Sequence, residues 1–186
     1  MSILDHPAVE RFDDVVDGWA DRLRGNPAAD RLFYSLSNWG DHSLIWVVAG
    51  IARALLDDEI TVQGLLKFPI EIGLESAIVN GPIKMSFDRA RPTHDGDRPH
   101  SLRIPRTSSF PSGHASAGMF AAMVYTQGRR HRWPWFVVGA LVGWSRVHVK
   151  IHHPSDVAGG ALVGLALGAI ACHVAPSAQA VTTLNR

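Results

Sequence analysis

Eighteen consecutive residues, Val157 to Val174, carry no formal charge unless His173 is protonated. A run of this length and composition can cross a hydrocarbon core about 30 Å thick, and it can do so only as a helix, since each backbone N–H and C=O must then find its partner inside the segment. Gly160, Gly164 and Gly168 recur every four residues within the run and share one helical face, which permits close packing of a neighbouring helix.

Four further stretches are candidates to join it. Leu32 to Leu56 carries Trp39 and Trp46 and is densely apolar from Leu44, broken by Arg53. Val62 to Phe87 is apolar enough to cross but contains Lys67, Glu71 and Glu75, whose polar groups are expected to face a bundle interior. Gly81-Pro82 should kink it just before Lys84. Ser112 to Thr126 is rich in Ala and Met, and Trp133 to Val149 opens on aromatic residues, as at a membrane interface. Asp57, Asp58 and Glu59 mark one connecting turn, Arg129-Arg130-His131-Arg132 another, and Thr93 to Phe110 a polar, Arg-rich loop. Ahead of these, Val9, Phe12, Val16, Trp19, Ala20 and Leu23 recur at helical spacing among acidic neighbours. They predict an amphipathic helix over Ala8 to Leu23, lying on a membrane surface or on the body of the protein.

The expected fold is therefore all-α: a membrane-embedded helical bundle of about five spans with an N-terminal amphipathic helix. It reads as one domain over 1–186, with the amphipathic segment in 1–31, the helical core in 32–176 and a tail in 177–186. A mean hydropathy of +0.04 is low for five spans, so a soluble helical bundle is the alternative. Against it, the runs from Leu44, Ser112, Trp133 and Val157 together exceed what a small soluble core needs. Met1 to Arg31 is too acidic for a secretory signal peptide, so membrane insertion would rest on the chain's own helices. The balance of 18 basic against 17 acidic residues marks no nucleic-acid partner. With Cys172 as the one cysteine, no intrachain disulfide can form.

Alternating span directions bring particular residues to one face. These are Lys84 and Arg91 after the second span, Ser112 opening the third, Arg146 to His152 closing the fourth, and Asp156 opening the fifth. Lys84 and Arg91 lie seven residues apart, about two helical turns, so both cations can point the same way. Pro111-Ser112-Gly113-His114 offers a hydroxyl and free backbone N–H groups at a helix start. Arg146, His152 and Asp156 supply a fork of donors, an imidazole and a carboxylate able to orient it. His148, His152 and Asp156 also fall at steps of four and could ligate a metal, but Pro154 interrupts the helix that would align them.

Taken together, Lys-x6-Arg-Pro, Pro-Ser-Gly-His and Ser-Arg-x5-His-x3-Asp occur in that order between Lys84 and Asp156. In this the chain resembles the type 2 phosphatidic acid phosphatase superfamily, which also contains bacterial acid phosphatases and vanadium haloperoxidases. The resemblance implies phosphoryl transfer through a phosphohistidine on His152, with Asp156 as its orienter and His114 as the acid for the leaving alkoxide. It implies phosphate binding by Lys84, Arg91, Ser112, Gly113 and Arg146, with no metal or other cofactor. The implied partner is a lipid phosphate in a cell membrane: phosphatidic acid, phosphatidylglycerol phosphate, or a polyprenyl phosphate, including phosphorylated polyprenyl sugars. The short chain and Arg-Thr-Ser-Ser-Phe-Pro-Ser-Gly-His lean toward small bacterial members acting on polyprenyl lipids.

Other readings stay open. The same cradle can hold vanadate, as in a haloperoxidase, and a soluble acid phosphatase or a non-catalytic lipid-binding membrane protein is also compatible, although no motif residue is lost. Lys150 and His148 add positive character, and His153 stands where an aromatic residue often follows the nucleophile. These three are candidates for a second anionic part of the substrate. His6, His42, His94, His100, His131 and His173 are read as surface or packing residues, and Glu71, Glu75 and Asn80 as interhelical hydrogen-bonding groups. The site face carries 12 Lys and Arg against six opposite, which favours a cytoplasmic site, whereas the family often works on the outer face. Oligomeric state is not legible.

Overall fold

A helix more than half alanine, glycine and serine lies at the centre. The computed structural model describes residues 3–56, 62–95, 97–129 and 131–175, and its regular elements there are all helical. Seven α-helices follow in order: α1 (Pro7–Asp21), α2 (Pro27–Gly40), α3 (Leu44–Leu56), α4 (Val62–Ile78), α5 (Gly113–Tyr125), α6 (Trp133–His148) and α7 (Pro154–Val174). The expected turn at Asp57 to Glu59, Arg130 in the second expected turn, and the 177–186 tail lie outside the described residues.

Nine of the thirteen residues of α5 are buried, and its Ala, Gly and Ser side chains let neighbours approach to backbone contact. The α7 glycines are the other half of this seam. A Cβ at Gly160 would stand 2.3 Å from the Ser112 carbonyl oxygen, and one at Gly168 2.7 Å from Met123 Cβ. On the opposite side of α5, Gly118 meets Gly139 of α6 backbone to backbone. At about 1.5 Å per residue, α5 is roughly 20 Å long, too short to cross a bilayer alone. It is enclosed by neighbours and has no need to meet lipid.

Phe120 and Tyr125 of α5 build the core with Trp46, Phe68, Ile72 and Val142 from the helices around it. Tyr125 donates its hydroxyl to the Trp46 carbonyl at 2.6 Å. Of the interior polar groups Arg53 and Glu75 find partners, whereas Glu71 Oε2 has none among the described residues. Buried Arg53 donates to the Val124 and Tyr125 carbonyls at the end of α5, and the Ser116 hydroxyl donates to Glu75 across α4 and α5. Asn80 differs from expectation: its amide bonds Ser76 in its own helix, at 3.1 Å to the carbonyl.

The run from Leu32 to Leu56, expected as one span, is two helices. α2 stops at Gly40, and a short turn over Asp41–Ser43 redirects the chain into α3 with φ of 53° at His42 and 58° at Ser43. Gly40-Asp41-His42-Ser43 interrupts the apolar pattern, and left-handed non-glycine residues cost of order 1 kcal/mol each, a strain found where a site demands it. α4 behaves as expected, passing through a π turn at Val79–Ile83 that kinks at Gly81 and Pro82 before Lys84.

Among the described residues α7 alone is both long and apolar enough to cross a membrane, and only 17% of its apolar window is buried. Exposed apolar side chains also line the outer faces of α3 (Val48, Ile51, Leu55), α4 (Leu66, Ile70, Leu74) and α6 (Val137, Leu141). In α1 the expected stripe divides. Ala20 is buried with Asp13, and Val9 and Val16 are half-buried, whereas Phe12, Trp19 and Leu23 are exposed.

Candidate active site

Between α6 and α7 the chain makes a five-residue reversal that carries His152. His148 closes α6, Lys150 takes a left-handed φ of 48°, and the Ile151 and His152 N–H groups both return to the Arg146 carbonyl, at 3.1 and 3.2 Å. Pro154 at the first turn of α7 then fixes the exit. This break separates the three residues that could have shared a metal-binding face. His148 turns to Asp30, with Nε2 2.8 Å from Oδ1, and stacks on Phe33. His152 instead faces Asp156, with Nδ1 3.5 Å from Oδ2.

Asp156 is wholly buried and held from several directions. Its Oδ2 accepts from the His153 N–H at 2.8 Å and from the Ser109 hydroxyl. Its backbone carbonyl receives the Ser112 N–H at 3.0 Å, tying the start of α5 to the start of α7. Burial pushes the His152 imidazole down to about 3, with Arg146 and Arg91 reinforcing the effect and Asp156 opposing it. The ring is therefore neutral at physiological pH. With Nδ1–H directed to Asp156, its Nε2 lone pair is available to an electrophile.

Cations surround that nitrogen. Arg91 Nη1 lies 3.3 Å from His152 Nε2, while its other bonds run to the Ile151, Thr107 and Ser108 carbonyls. Burial holds the Arg91 guanidinium below its ordinary range. Arg146 is wholly buried and donates to the Ser37 hydroxyl, leaving Nε and Nη2 without partners. Ser112 occupies the N-cap position of α5 but does not cap: its buried hydroxyl bonds nothing. Buried donors without acceptors cost a few kcal/mol each, so an arrangement that keeps several of them together is suited to an absent anion.

A cavity of about 310 Å³ opens onto these groups, lined by Lys84, Gly113, His114, Arg146 and His152 among others. Ser112, Arg91 and Asp156 are not part of its lining. Asn80 packs against Gly113, where a Cβ would stand 2.7 Å from its amide oxygen. His114 Nε2 lies 3.0 Å from the Ser37 carbonyl and 3.4 Å from Asp41 Oδ1. Gly40 is what admits it, since a Cβ there would stand 2.5 Å from His114 Cδ2. The structure thus brings Lys84, Gly113, His114, Arg146 and His152 onto one cavity, with Arg91 and Asp156 against His152 and Ser112 bonded through its N–H to Asp156.

Several contributors were not anticipated. Ser37, Asp41 and Ser109 contact candidate residues directly, and Arg103, Arg106 and Thr107 line the cavity. Arg106 and Thr107 open the Arg-Thr-Ser-Ser-Phe-Pro-Ser-Gly-His stretch, and Arg103 was signalled only by the Arg-rich composition of 93–110. Conversely, the three extra basic candidates each meet an acceptor of the chain itself. Lys150 pairs with Asp17 at 3.2 Å, His148 with Asp30, and His153 bonds the Ala90 carbonyl at 3.3 Å. Lys150 and His148 are thus answered by acids of α1 and α2.

The model of the PAP2 superfamily matches residues 66–179. An undecaprenyl-diphosphatase of Bacillus subtilis is 32% identical over 100 residues, 52% of this chain and 50% of that one. A decaprenylphosphoryl-5-phosphoribose phosphatase of Mycobacterium tuberculosis is 30% identical over 139 residues, 73% of this chain and 74% of that one. Among solved structures, a transmembrane PAP2-type phosphatidylglycerolphosphate phosphatase of Bacillus subtilis superposes with a TM-score of 0.68 at 24% identity, covering 92% of this chain and 88% of that one. The last likeness is one of fold. The chain spans half the length of the first of these relatives and about three-quarters of the second.

Proposed function

The chain belongs to the PAP2 superfamily, and on that premise we propose that it is a multi-pass membrane phosphatase, formed by a single domain, that hydrolyses a lipid phosphate monoester or diphosphate through a phosphohistidine. The observation that carries this reading is the set of unpartnered buried donors, Ser112 Oγ with Arg146 Nε and Nη2, gathered with Lys84 and Arg91 about a neutral His152.

In this mechanism His152 Nε2 attacks phosphorus as the bond to the leaving oxygen breaks, and His114 gives that oxygen its proton. Asp156 holds Nδ1–H while the ring gains charge. Arg91, Arg146, Lys84, the Ser112 hydroxyl and the Gly113 N–H take the equatorial oxygens, whose charge is spread in the transition state. Water then attacks the phosphohistidine with His114 as base, breaking the P–N bond and releasing inorganic phosphate. Cations and donors of the chain supply the charge stabilisation, and no step requires a metal.

A lipid substrate follows from the surroundings. The outward apolar faces of α3, α4, α6 and α7 suit lipid, and Phe12, Val15 and Trp19 on α1 suit the interface. A headgroup could then reach the cavity while its tail stays in the bilayer. Polyprenyl phosphates and diphosphates lead the candidates because both curated relatives described above are named for polyprenyl-linked substrates. Phosphatidic acid and phosphatidylglycerol phosphate complete the panel.

The test is phosphate release from these lipids in detergent with EDTA, comparing wild type with His152→Ala. Release that survives the chelator and vanishes in the variant supports the reading. No release from any of the lipids by folded wild type refutes it for them, and activity retained by the variant refutes the nucleophile.

A further inference from the structure

The acidic face of α1 reaches the candidate catalytic carboxylate from the side opposite His152. Arg89 Nη1 donates to Asp156 Oδ1 at 2.6 Å, and Arg89 Nη2 donates to Asp13 Oδ2 at 2.7 Å. Ser155 reinforces the bridge. Its N–H and hydroxyl donate to the two Asp13 oxygens at 2.7 and 2.8 Å, and its Oγ accepts from Arg89 at 2.7 Å. Charges therefore alternate along Asp13, Arg89 and Asp156 before reaching His152. Asp13 is 6% exposed and Asp156 not at all.

Neither Asp13 nor Arg89 belongs to the three sequence motifs, and neither lines the cavity of Lys84, His114 and Arg146. Their burial needs a reason. Removing an ion pair from water costs several kcal/mol per ion before the pairing is counted. Apolar packing also holds α1, through buried Ala20 and half-buried Val16, but it gives no reason for a buried ion pair beneath the helix.

We propose that Asp13 and Arg89 are positioning residues for the phosphoryl-transfer step: they fix Asp156 Oδ1 so that Oδ2 stays on His152 Nδ1 and the carboxylate stays ionised as the imidazole gains charge. On this view α1 is part of the catalytic apparatus as well as an attachment to the membrane surface. The inference rests on the reading of His152 as nucleophile.

Steady-state kinetics on the best lipid of the panel, with thermal unfolding in the same detergent, tests it using Arg89→Gln, Arg89→Lys, Asp13→Asn, the Asp13→Asn/Arg89→Gln double variant and His152→Ala. The expected result is a kcat for Arg89→Gln lower by roughly ten- to a hundredfold, with KM changed by no more than about threefold, since the phosphate cradle is untouched. Arg89→Lys, which keeps the charge but not the fork, recovers part of the loss. Asp13→Asn, nearly isosteric and the safer variant for folding, lowers kcat by itself and adds nothing on the Arg89→Gln background.

A wild-type kcat in folded Arg89→Gln or Asp13→Asn overturns the proposal, as does a loss confined to KM or a double variant whose losses multiply. Should Arg89→Gln not fold, the kcat and KM of Asp13→Asn decide by the same criteria. Activity surviving in His152→Ala sinks the underlying nucleophile assignment instead, which keeps the two failures apart.

Discussion

Gly164 of α7 lies so close to Ser116 of α5 that a Cβ built on it would stand 2.1 Å from the Ser116 carbonyl oxygen. The obstacle is helix backbone, which cannot swing aside as a side chain can. Gly164→Ala is therefore expected to force α5 and α7 apart and to lower stability by about 1–3 kcal/mol, the usual range for overpacking. Gly73→Ala, on α4 with nothing near its added methyl group, should leave the unfolding temperature unchanged or slightly raised. Thermal unfolding of the two variants in detergent checks this, and equal midpoints would contradict the close seam.

Ser112 sets activity and stability against each other. Its buried hydroxyl neither caps α5 nor bonds any side chain, so Ser112→Ala removes a desolvated polar group whose bonds the fold never made. Stability is expected to hold or rise slightly. Hydrolysis should fall by roughly a hundred- to a thousandfold, the usual loss for one oxyanion donor. A Ser112→Ala variant that is destabilised yet fully active would assign the hydroxyl a structural duty.

Acid should weaken the fold through His152. Its native imidazole is held at about 3 against an ordinary 6.5, so as pH falls below 6.5 the unfolded chain takes up a proton that the native state refuses. Stability contributed by this residue is full above pH 6.5, declines as pH falls, and is lost through about pH 3. At pH 5 the deficit amounts to roughly 2 kcal/mol. Unfolding midpoints measured at pH 7.5 and pH 5 should therefore diverge in wild type and draw together in His152→Asn. An equal drop in both proteins would show that other groups cause it.

Most motif residues were legible because they stand at or beside the end of a helix whose existence hydropathy announces, whereas Arg91, expected two helical turns beyond Lys84, lies in non-helical chain. Once helices alternate in direction, Lys84, Ser112, His152 and Asp156 have to meet. What escaped was of two kinds. Ser37, Asp41, Arg89 and Ser109 reach the site by contacts across 47 to 109 residues, and nothing in their immediate sequence distinguishes them from surface polar residues. The break at Gly40 was visible as four small or polar residues within an apolar run, but its purpose, making room for His114, depends on a partner far along the chain. Lys150 and His148 misled for a related reason. Excess positive charge suggested an anion, and the anions were carboxylates of the chain itself, on α1 and α2.

The role assigned to His114 makes a prediction that depends on the leaving group. A general acid matters in proportion to how badly the departing oxygen needs a proton. An alkyl or polyprenyl alkoxide needs one urgently, whereas p-nitrophenolate leaves almost unaided. His114→Ala should therefore lower hydrolysis of an alkyl lipid phosphate by roughly a hundred- to ten-thousandfold, while its loss on p-nitrophenyl phosphate should be at least about tenfold smaller. His152→Ala should abolish both. Gly40→Ala offers an independent approach to the same point, because its methyl group would displace the His114 ring without altering its chemistry, and it should show the same leaving-group pattern in milder form. Were His114→Ala to cost both substrates equally, its imidazole would be acting on the phosphoryl oxygens, and Asp41, 3.4 Å from its Nε2, would be the first group to examine as the proton source in its place.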